Sequence, residues 1–420
     1  MENTTVIQRQ ISLSWIEKLY RRLVFSAFES IQTGHLKVIM GEQVYEFGET
    51  GSEYQCTVTI VDPAMFKLFA LGGSVGAAEA YIEGYWRCSN LTTLIEIFAL
   101  NQSQLDAFEK KFAFITGFAN NLRHLRNKNS KQGSKKNIAA HYDLGNELYS
   151  SFLSEEMLYS SAIYPNKTST LEQAQQHKLE TICTQLDLKP GEQVIEIGTG
   201  WGAFAIFAAQ KYGCHVTTTT ISEEQFTYVS EKIKELGLES RITLLKQDYR
   251  ELQGRFDKLV SIEMIEAVGH EYLAGFFAKC DALLKDNGAM LIQAITIACQ
   301  RYPHYLKKSD FIQQYIFPGG CLPSITELNK QLCNNTNMVV HNISDIGLHY
   351  ARTLHDWYRR FKQSWPTLDH GKFDQRFYRL WEFYLCYCEG AFKQRATSTV
   401  HLVARKPNYV SSQCCSTLNY

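Results

Sequence analysis

The chain has no uninterrupted apolar run of the length that a membrane-spanning helix requires. No stretch of its 420 residues approaches roughly 18 to 20 consecutive apolar side chains, so a soluble or peripheral protein is expected. The first fifteen residues lack a basic segment followed by an apolar core and a cleavage site, so we expect no secretory signal and a cytoplasmic location. The composition, with 45% hydrophobic and 20% charged residues, is typical of a globular protein.

The twelve cysteines do not form the sequence patterns that are typical of metal binding or of lipid attachment. No two of them form a CxxC pair, which removes the usual zinc signature, and no other metal site is predicted. Cys414 and Cys415 do not stand four residues from the last residue of the sequence, so we expect no prenylation box. We expect reduced thiols, because the cysteines are spread along a long chain without a secretory signal.

Acidic side chains are absent from residues 110–142, although the formal net charge of the whole chain is +0. The same segment is rich in Lys and Arg, and residues 127–137, NKNSKQGSKKN, have no apolar periodicity. This composition is typical of a linker. Two interpretations of the positive charge stay open: a solvated flexible connection, or a patch for anionic lipid headgroups.

The linker separates two blocks of different pattern, in agreement with the two or three domains expected from the length. The first block mixes an alternating stretch at 54–61 with a helical run at 91–100 and predicts a small α/β unit. In the second block, β-rich runs alternate with amphipathic helices, which predicts a parallel sheet covered by helices on both faces. The β-rich runs are 194–197, 215–220, 242–245, 258–263 and 289–295.

The regular alternation stops after the fifth run. Residues 298–350 form a long stretch rich in Tyr, Phe, Pro and Gly, and long insertions beside such a sheet often form a substrate lid. Helices are then predicted around 356–361 and 372–392, followed by a last alternating run at 397–406. This part is therefore predicted to cover the sheet rather than to extend its parallel order.

Three glycines follow the first β-rich run of the second block, in the sequence VIEIGTGWG at 194–202. Glycine is needed where the backbone turns tightly against a ligand. A nicotinamide fingerprint would place the third glycine three residues after the second, whereas Gly200 and Gly202 are two apart, and the acid Glu196 precedes them. This spacing is the S-adenosylmethionine signature of the seven-stranded, class I, Rossmann-like methyltransferase fold, an α/β doubly wound sheet.

Polar residues after the next two runs fit the same cofactor. Thr220 and Gln225 offer hydroxyl and amide groups for the ribose and the amino-acid part, and Asp248 offers a carboxylate for the adenine amine. In open α/β sheets such groups lie at the carboxyl ends of the strands, where ligands bind. No acid ends the second strand, so Gln225 or Thr220 is expected to recognise the ribose instead.

Several longer segments carry a resemblance to a known family. The segments HYDLGNELYSSFLSEEMLYSSAIYP, EIGTGWG, KQDYR, MIEAVGHEY, YIFPGGCLPS and YLCYCEGAF are similar to those of the cyclopropane-fatty-acyl-phospholipid synthases and their mycolic-acid relatives. The resemblance extends from His141 to about Lys406, and SVGAAEAYIEGYWRC also fits the family's amino-terminal domain. It implies an amino-terminal lipid or membrane-docking domain at 1–126, a basic linker at 127–140, a methyltransferase domain at 141–405 and a tail at 406–420.

The resemblance also implies two sets of site residues. The cofactor is assigned to Tyr142, Tyr159, Ser160, Gly198, Gly200, Thr220, Ile221, Gln225 and Asp248. A catalytic bicarbonate, which the family holds with a Cys, a Glu, a His, an Ile backbone group and a Tyr, is assigned to Ser161, Glu266, Gln293, Ile295 and Tyr350. Two of the five positions depart from the family, Cys to Ser and His to Gln, although both substitutes can still hydrogen-bond an anion.

The implied reaction is transfer of a methyl group to the cis double bond of an unsaturated acyl chain in a membrane phospholipid, followed by loss of a proton and closure of a cyclopropane ring. Glu266 together with an anion is expected to provide the base, and the abundant aromatic side chains are expected to tolerate the positive charge. Peripheral contact with the membrane and a homodimer are expected, and no nucleic-acid partner. Three alternatives stay open: an enzyme that adds a methyl branch, one that methylates a small amine, and a non-catalytic lipid-binding homologue.

Overall fold

The computed structural model describes residues 13–107 and 145–410. Within these residues the chain divides into two compact units. The first comprises residues 13–107, 308–314 and 362–396, and the second comprises residues 145–307, 315–361 and 397–410. The first unit thus includes two segments from within 141–405, the range expected for the methyltransferase domain.

The helices and strands, apart from short 3₁₀ and π turns, follow in chain order. Up to residue 107 they include α1 Trp15–Phe28, β1 His35–Met40, β2 Gln43–Gly48, β3 Gln55–Ile60, α2 Ala64–Ile82, β4 Trp86–Cys88 and α3 Leu91–Leu100. From residue 145 they are α4 Asn146–Phe152, α5 Leu171–Gln185, β5 Gln193–Ile197, α6 Ala203–Lys211, β6 His215–Thr220, α7 Glu223–Glu235, β7 Ile242–Lys246, β8 Phe256–Ile262, α8 Leu273–Leu283, β9 Leu284–Ile297, α9 Tyr302–Tyr305, α10 Ile325–Asn335, β10 Val339–Asp345, α11 Gly347–Ser364, α12 Gln375–Lys393 and β11 Thr397–Arg405.

The first unit contains a four-stranded sheet in the order β2-β1-β3-β4. Side chains alternate across β1, so that Leu36, Val38 and Met40 are buried on one face. The later helix α12 joins this unit by packing against α2 and α3, where Tyr81 donates a hydrogen bond to Glu382 Oε2 at 2.6 Å. This return of the chain could not be expected from the linear order of the segments.

The second unit contains a seven-stranded sheet in the order β10-β11-β9-β8-β5-β6-β7. The five strands β5 to β9 are parallel, as the alternating pattern predicted. Strand β11 pairs antiparallel with β9 on one side and with β10 on the other. Strand β10 lies within the stretch interpreted as a lid. Most of its residues are exposed, so the strand lacks the hydrophobic alternation that would have revealed it.

The central strands are buried on both faces. Neighbouring residues point to opposite sides, so Ile195 and Leu259 join one hydrophobic cluster while Val194 and Val260 join the other. The predicted class I methyltransferase fold, a doubly wound α/β sheet beside a smaller domain, is confirmed. Among the described helices, none is both long and apolar enough to cross a membrane.

Candidate active site

The order of the parallel strands reverses at β5, which has β6 on one side and β8 on the other. In open α/β sheets, the crevice at the carboxyl ends of the strands beside such a switch point is the usual ligand site. The glycine loop follows β5, and two glutamates, Glu263 and Glu266, follow β8. The topology therefore brings the predicted cofactor loop and these two carboxyl groups to the same edge of the sheet.

The glycine loop has the conformation and the open space that close approach of a cofactor requires. Gly198 and Gly200 have φ angles of 101° and 54°, in the left-handed region that favours glycine. A Cβ built on Gly200 would meet no atom within 4 Å, so the space beside its backbone is free for a ligand. A Cβ on Gly198 would lie 3.2 Å from Met264 Cγ, which places this loop against the segment that carries the two glutamates.

The polar residues after β6 are buried and linked to one another. The Thr220 hydroxyl donates to Gln225 Oε1 at 2.8 Å and accepts from the backbone N–H of Ser222 at 3.1 Å. Ser222 in turn caps α7. The pair is thereby fixed beside the glycine loop, whose Thr199 N–H donates to the Thr219 carbonyl at 2.9 Å, and Ile221 lies between Thr220 and the cap.

Asp248 is held by a neighbouring cation. Its carboxylate accepts from Arg250 Nε at 2.8 Å and from Arg250 Nη2 at 2.7 Å, and it caps the short helical turn that begins at Tyr249. The residue is 8% exposed and follows β7. The predicted contact with the adenine amine therefore requires a lone pair that the bidentate ion pair leaves available.

Of the predicted cofactor residues before β5, Ser160 is buried and Tyr159 is partly buried. The Ser160 hydroxyl accepts a hydrogen bond from Lys178 Nζ at 2.7 Å, and Lys178 is fully buried. Burial lowers the pKa of Lys178 to about 7. Tyr159 joins an aromatic cluster described below, and Tyr142 lies outside the described residues.

Glu263 collects hydrogen bonds from three of the five residues predicted to hold bicarbonate. Its Oε1 accepts from the backbone N–H of Ser161 at 2.8 Å and from Gln293 Nε2 at 2.6 Å. Its Oε2 accepts from the Tyr350 hydroxyl at 2.8 Å. The Ser161 hydroxyl, by contrast, donates to the neighbouring Ala162 carbonyl at 3.0 Å and so is not directed at this carboxylate.

Glu266 lies beside this arrangement and contacts the remaining predicted residue. Its Oε1 accepts from the backbone N–H of Ile295 at 2.5 Å, whereas its Oε2 is buried and has no hydrogen-bond partner among the described residues. Burial, aided by the negative charge of Glu263, raises the pKa of Glu266 to about 8. At neutral pH this carboxyl group is therefore mainly protonated.

Gln293 is oriented by a buried histidine on the adjacent strand. His401 Nε2 lies 2.9 Å from Gln293 Oε1, and His401 Nδ1 lies 2.9 Å from the side-chain amide of Gln185. Burial lowers the pKa of His401 to about 3, so the ring is neutral and carries a single N–H at one of these two contacts. The Gln293 amide N–H groups face Glu263 and the Ser161 carbonyl, at 2.6 and 3.3 Å.

Aromatic rings pack next to Tyr350, which contacts the Glu263 carboxyl group. Trp357 is fully buried, with its ring centroid 5.9 Å from Tyr350 and 5.2 Å from Tyr159. Phe152 packs against the same indole at 6.0 Å, and Phe317 lies 6.2 Å from Tyr159. We call these five residues the aromatic cluster. Its ring faces can stabilise a positive charge in a site from which water is excluded.

Sequence reasoning missed Glu263, Lys178 and His401. Glu263 was interpreted as the last residue of β8, but this strand ends at Ile262 and Glu263 has a left-handed φ of 48°. Two glutamates three residues apart, directly after a buried strand, were the available signal. No local signal marked Lys178 or His401, because their partners lie far away in the sequence.

Comparison with known proteins supports the expected resemblance. A family model described as mycolic acid cyclopropane synthetase matches residues 129–402. The cyclopropane-fatty-acyl-phospholipid synthase of Escherichia coli (strain K12) is 36% identical over 340 residues, which cover 80% of this chain and 85% of that protein. The tuberculostearic acid methyltransferase UfaA1 of Mycobacterium tuberculosis (strain ATCC 25618 / H37Rv) is 34% identical over 337 residues, or 79% of this chain and 78% of that protein.

Solved structures agree with this assignment. The mycolic acid cyclopropane synthase CmaA1, complexed with SAH and CTAB, aligns with a TM-score of 0.61 and 27% identity, covering 65% of this chain and 98% of that chain. The ordered motifs, the switch-point site and the matched family model all lead to the same assignment. The chain belongs to the mycolic acid cyclopropane synthetase family and is a methyltransferase.

Proposed function

We propose that this protein transfers the methyl group of S-adenosylmethionine to the cis double bond of an unsaturated fatty acyl chain in a phospholipid and closes a cyclopropane ring. The observation that carries the proposal is the pair of carboxyl groups, Glu263 and Glu266, placed beside the glycine loop and next to the aromatic cluster. Closing the ring requires removal of a proton from carbon, and a buried carboxylate is suited to accept it.

The cofactor would lie along the glycine loop. Gly198 and Gly200 allow its close approach, Thr220, Ile221 and Gln225 form the adjoining wall, and Asp248 lies at the end of the next strand. Tyr159 and Ser160 are further proposed contacts, and so is Tyr142, which lies outside the described residues. When bound, the cofactor supplies an electrophilic methyl group on a sulfonium. Its use in this role agrees with the SAH complex of the related structure.

The chain's own residues would position the alkene and stabilise the charge that develops on it. An isolated alkene is a weak nucleophile, so most of the lowering of the barrier must come from holding it in line with the methyl group. The aromatic cluster, with Trp357 at its centre, provides apolar contact for the acyl chain and ring faces for the cationic carbon. Ser161, Gln293, Ile295 and Tyr350 hold the two carboxyl groups in place.

Contact with the membrane surface is part of the proposal, because the acyl chain of a phospholipid lies in a bilayer. Helix α1 exposes three apolar side chains, with Trp15 at 75%, Leu19 at 50% and Ile16 at 43% exposure, beside the cations Lys18 and Arg22. Such a face suits binding to an anionic interface. We therefore propose α1 as a docking element, in addition to the basic linker at 127–140, which lies outside the described residues.

Lipid analysis of a bacterial host that makes no cyclopropane lipids of its own tests the proposal. Expression together with methyl-labelled methionine should yield phospholipid acyl chains that are one labelled methylene heavier than the host's monounsaturated chains. Proton NMR of the purified fatty esters should then show ring hydrogens. An unchanged lipid profile, in cells that contain the folded protein, would contradict the proposal.

Addition of a methyl branch is the second candidate, favoured by the 34% identity to the tuberculostearic acid methyltransferase. Both reactions begin with transfer of the methyl group to the double bond. They differ in the fate of the cation: ring closure removes a proton from the added methyl carbon as that carbon bonds to the cationic carbon, whereas the branched product forms by loss of a neighbouring chain proton or, after a hydride shift, by loss of a methyl proton that leaves a methylidene group. The same lipid sample separates them, since a branched unsaturated chain of the same mass would show alkene signals with methyl or methylidene hydrogens and no ring hydrogens.

A further inference from the structure

The backbone at Glu263 is held in an unfavourable conformation. Its φ of 48° lies in the left-handed region, which is unfavourable for a non-glycine residue. Its N–H donates to the Gln293 carbonyl at 2.8 Å, which fixes the turn directly after β8. The side chain is partly buried and so lies in the wall of the site. The strain is tolerated because the surrounding contacts hold the carboxylate at one position.

That position coincides with the one expected for bicarbonate. Ser161, Gln293 and Tyr350 were predicted to bind the anion, and all three donate to the Glu263 carboxylate instead. A second anion at this point would lose these donors and would lie beside a negative charge, which is unfavourable in a buried site. The residues present therefore do not fit a bicarbonate in addition to Glu263.

The two carboxyl groups differ in their surroundings. Burial raises the pKa of Glu263, and its three hydrogen-bond donors, together with the buried Lys178 ammonium, oppose that rise. Among the described residues, the Glu266 carboxyl group accepts from the Ile295 N–H, its Oε2 is buried without a partner, and its pKa is raised to about 8. Three donors that converge on one carboxylate favour its ionised form over that of its neighbour, which assigns the proton acceptor to Glu263 and a neutral role to Glu266.

We propose that the Glu263 carboxylate is the proton acceptor for ring closure, in place of a bound bicarbonate. The step rests on the proposed function. The alkene electron pair forms the bond to the methyl carbon, and the pair of the breaking carbon–sulfur bond stays on sulfur, leaving a neutral thioether. One C–H pair of the added methyl then forms the second ring bond to the cationic carbon. The released proton passes to Glu263 and afterwards to solvent.

The test compares the wild-type enzyme with Glu263→Gln and Glu263→Gly on unsaturated phospholipid vesicles, in buffer freed of carbon dioxide and with added bicarbonate. Wild-type activity should be the same in both buffers. Glu263→Gln keeps the shape of the side chain, and we expect it to lower kcat at least about 100-fold, the usual contribution of a general base, while calorimetry shows unchanged binding of the cofactor.

Glu263→Gly serves as the rescue variant. Glycine adopts the left-handed backbone readily and leaves the three donors open to a small anion. Its activity should be low without bicarbonate and should rise with bicarbonate in a saturable way, an effect that a purely structural role of Glu263 would not give. The proposal is overturned if the wild-type enzyme requires bicarbonate, if Glu263→Gln forms the ring at the wild-type rate, or if Glu263→Gly needs no added anion.

Failure of the proposed function is recognised separately. A wild-type enzyme that binds the cofactor but leaves the unsaturated lipid unmodified under both conditions refutes the substrate and the reaction. A wild-type enzyme that forms the ring only with bicarbonate refutes the role of Glu263 alone. The wild-type enzyme is therefore measured before the variants, because its activity with and without bicarbonate distinguishes a wrong reaction from a wrong role of Glu263.

Discussion

The phenol of Tyr350 donates its hydrogen to Glu263 Oε2 over 2.8 Å while its ring stands perpendicular to Trp357, with centroids 5.9 Å apart. Tyr350 therefore belongs both to the carboxyl pair and to the aromatic cluster. It connects Glu263, the proposed proton acceptor, with the aromatic cluster, which is proposed to stabilise the cation. The two functions can be separated by removing one oxygen atom.

Tyr350→Phe should lower kcat about 10- to 100-fold, because a hydrogen bond to a charged group contributes roughly 1.5–3 kcal/mol. The ring packing against Trp357 is retained, so the KM for lipid should change little. Tyr164→Phe is the matched control, since the Tyr164 hydroxyl donates to Asp356 Oδ2 at 2.9 Å, away from the carboxyl pair. Steady-state kinetics of both variants check the prediction, and equal losses of activity would contradict it.

Gly200→Ala should weaken binding of S-adenosylmethionine at least about 10-fold. An alanine Cβ would enter the open space beside the loop, and the left-handed φ of 54° adds backbone strain of about 1 kcal/mol. Gly191→Ala provides the control, because Gly191 has a φ of 81° and equally open surroundings in the turn before β5. Calorimetric titration should show weak binding in the first variant alone, and similar affinities would remove Gly200 from the cofactor site.

How far the sequence predicts this molecule depends on the range of the interactions involved. Strand β6 and helix α3 have the predicted boundaries, 215–220 and 91–100, because hydrophobic periodicity is a local signal. The glycine loop was found from spacing for the same reason. Helix α12 was also predicted, but its place in the first unit was not, since it depends on contacts between segments about 300 residues apart.

The candidate site could also be predicted only in part, because local sequence patterns do not reveal contacts between distant segments. Gln293 and Tyr350 were identified through the family resemblance, yet the group that they hold is Glu263, which the strand pattern had placed in β8. A left-handed turn of a non-glycine residue is not visible in hydrophobic alternation. The pairing of Lys178 with Ser160 depends on how α5 packs. Such contacts arise only once the fold has formed, and at this site they set the surroundings of the two carboxyl groups.

Lys178→Met should shift the acid limb of the pH profile of kcat to higher pH. The Lys178 ammonium opposes the rise in the pKa of Glu263, so its loss leaves that carboxylate easier to protonate. Methionine fills much of the same buried volume without a charge. Rates measured from pH 5 to 9 check the shift, and Lys178→Arg should retain the wild-type profile if it folds. An unchanged acid limb in the Met variant would show that Lys178 does not act on Glu263.

Glu266→Gln tests the protonated state of the second carboxyl group through stability. The pKa of Glu266 is raised from 4.5 to about 8 in the folded protein, so its contribution is present below the unfolded value and is lost as the pH rises through 8. Glutamine imitates the protonated carboxyl at every pH and can still accept from the Ile295 N–H. Relative to wild type, the variant should therefore become progressively more resistant to urea between pH 5 and 9, while it keeps ring formation at neutral pH. If the difference in urea midpoint is the same at both ends of this range, Glu266 is ionised throughout and the division of roles between the two carboxyl groups is wrong.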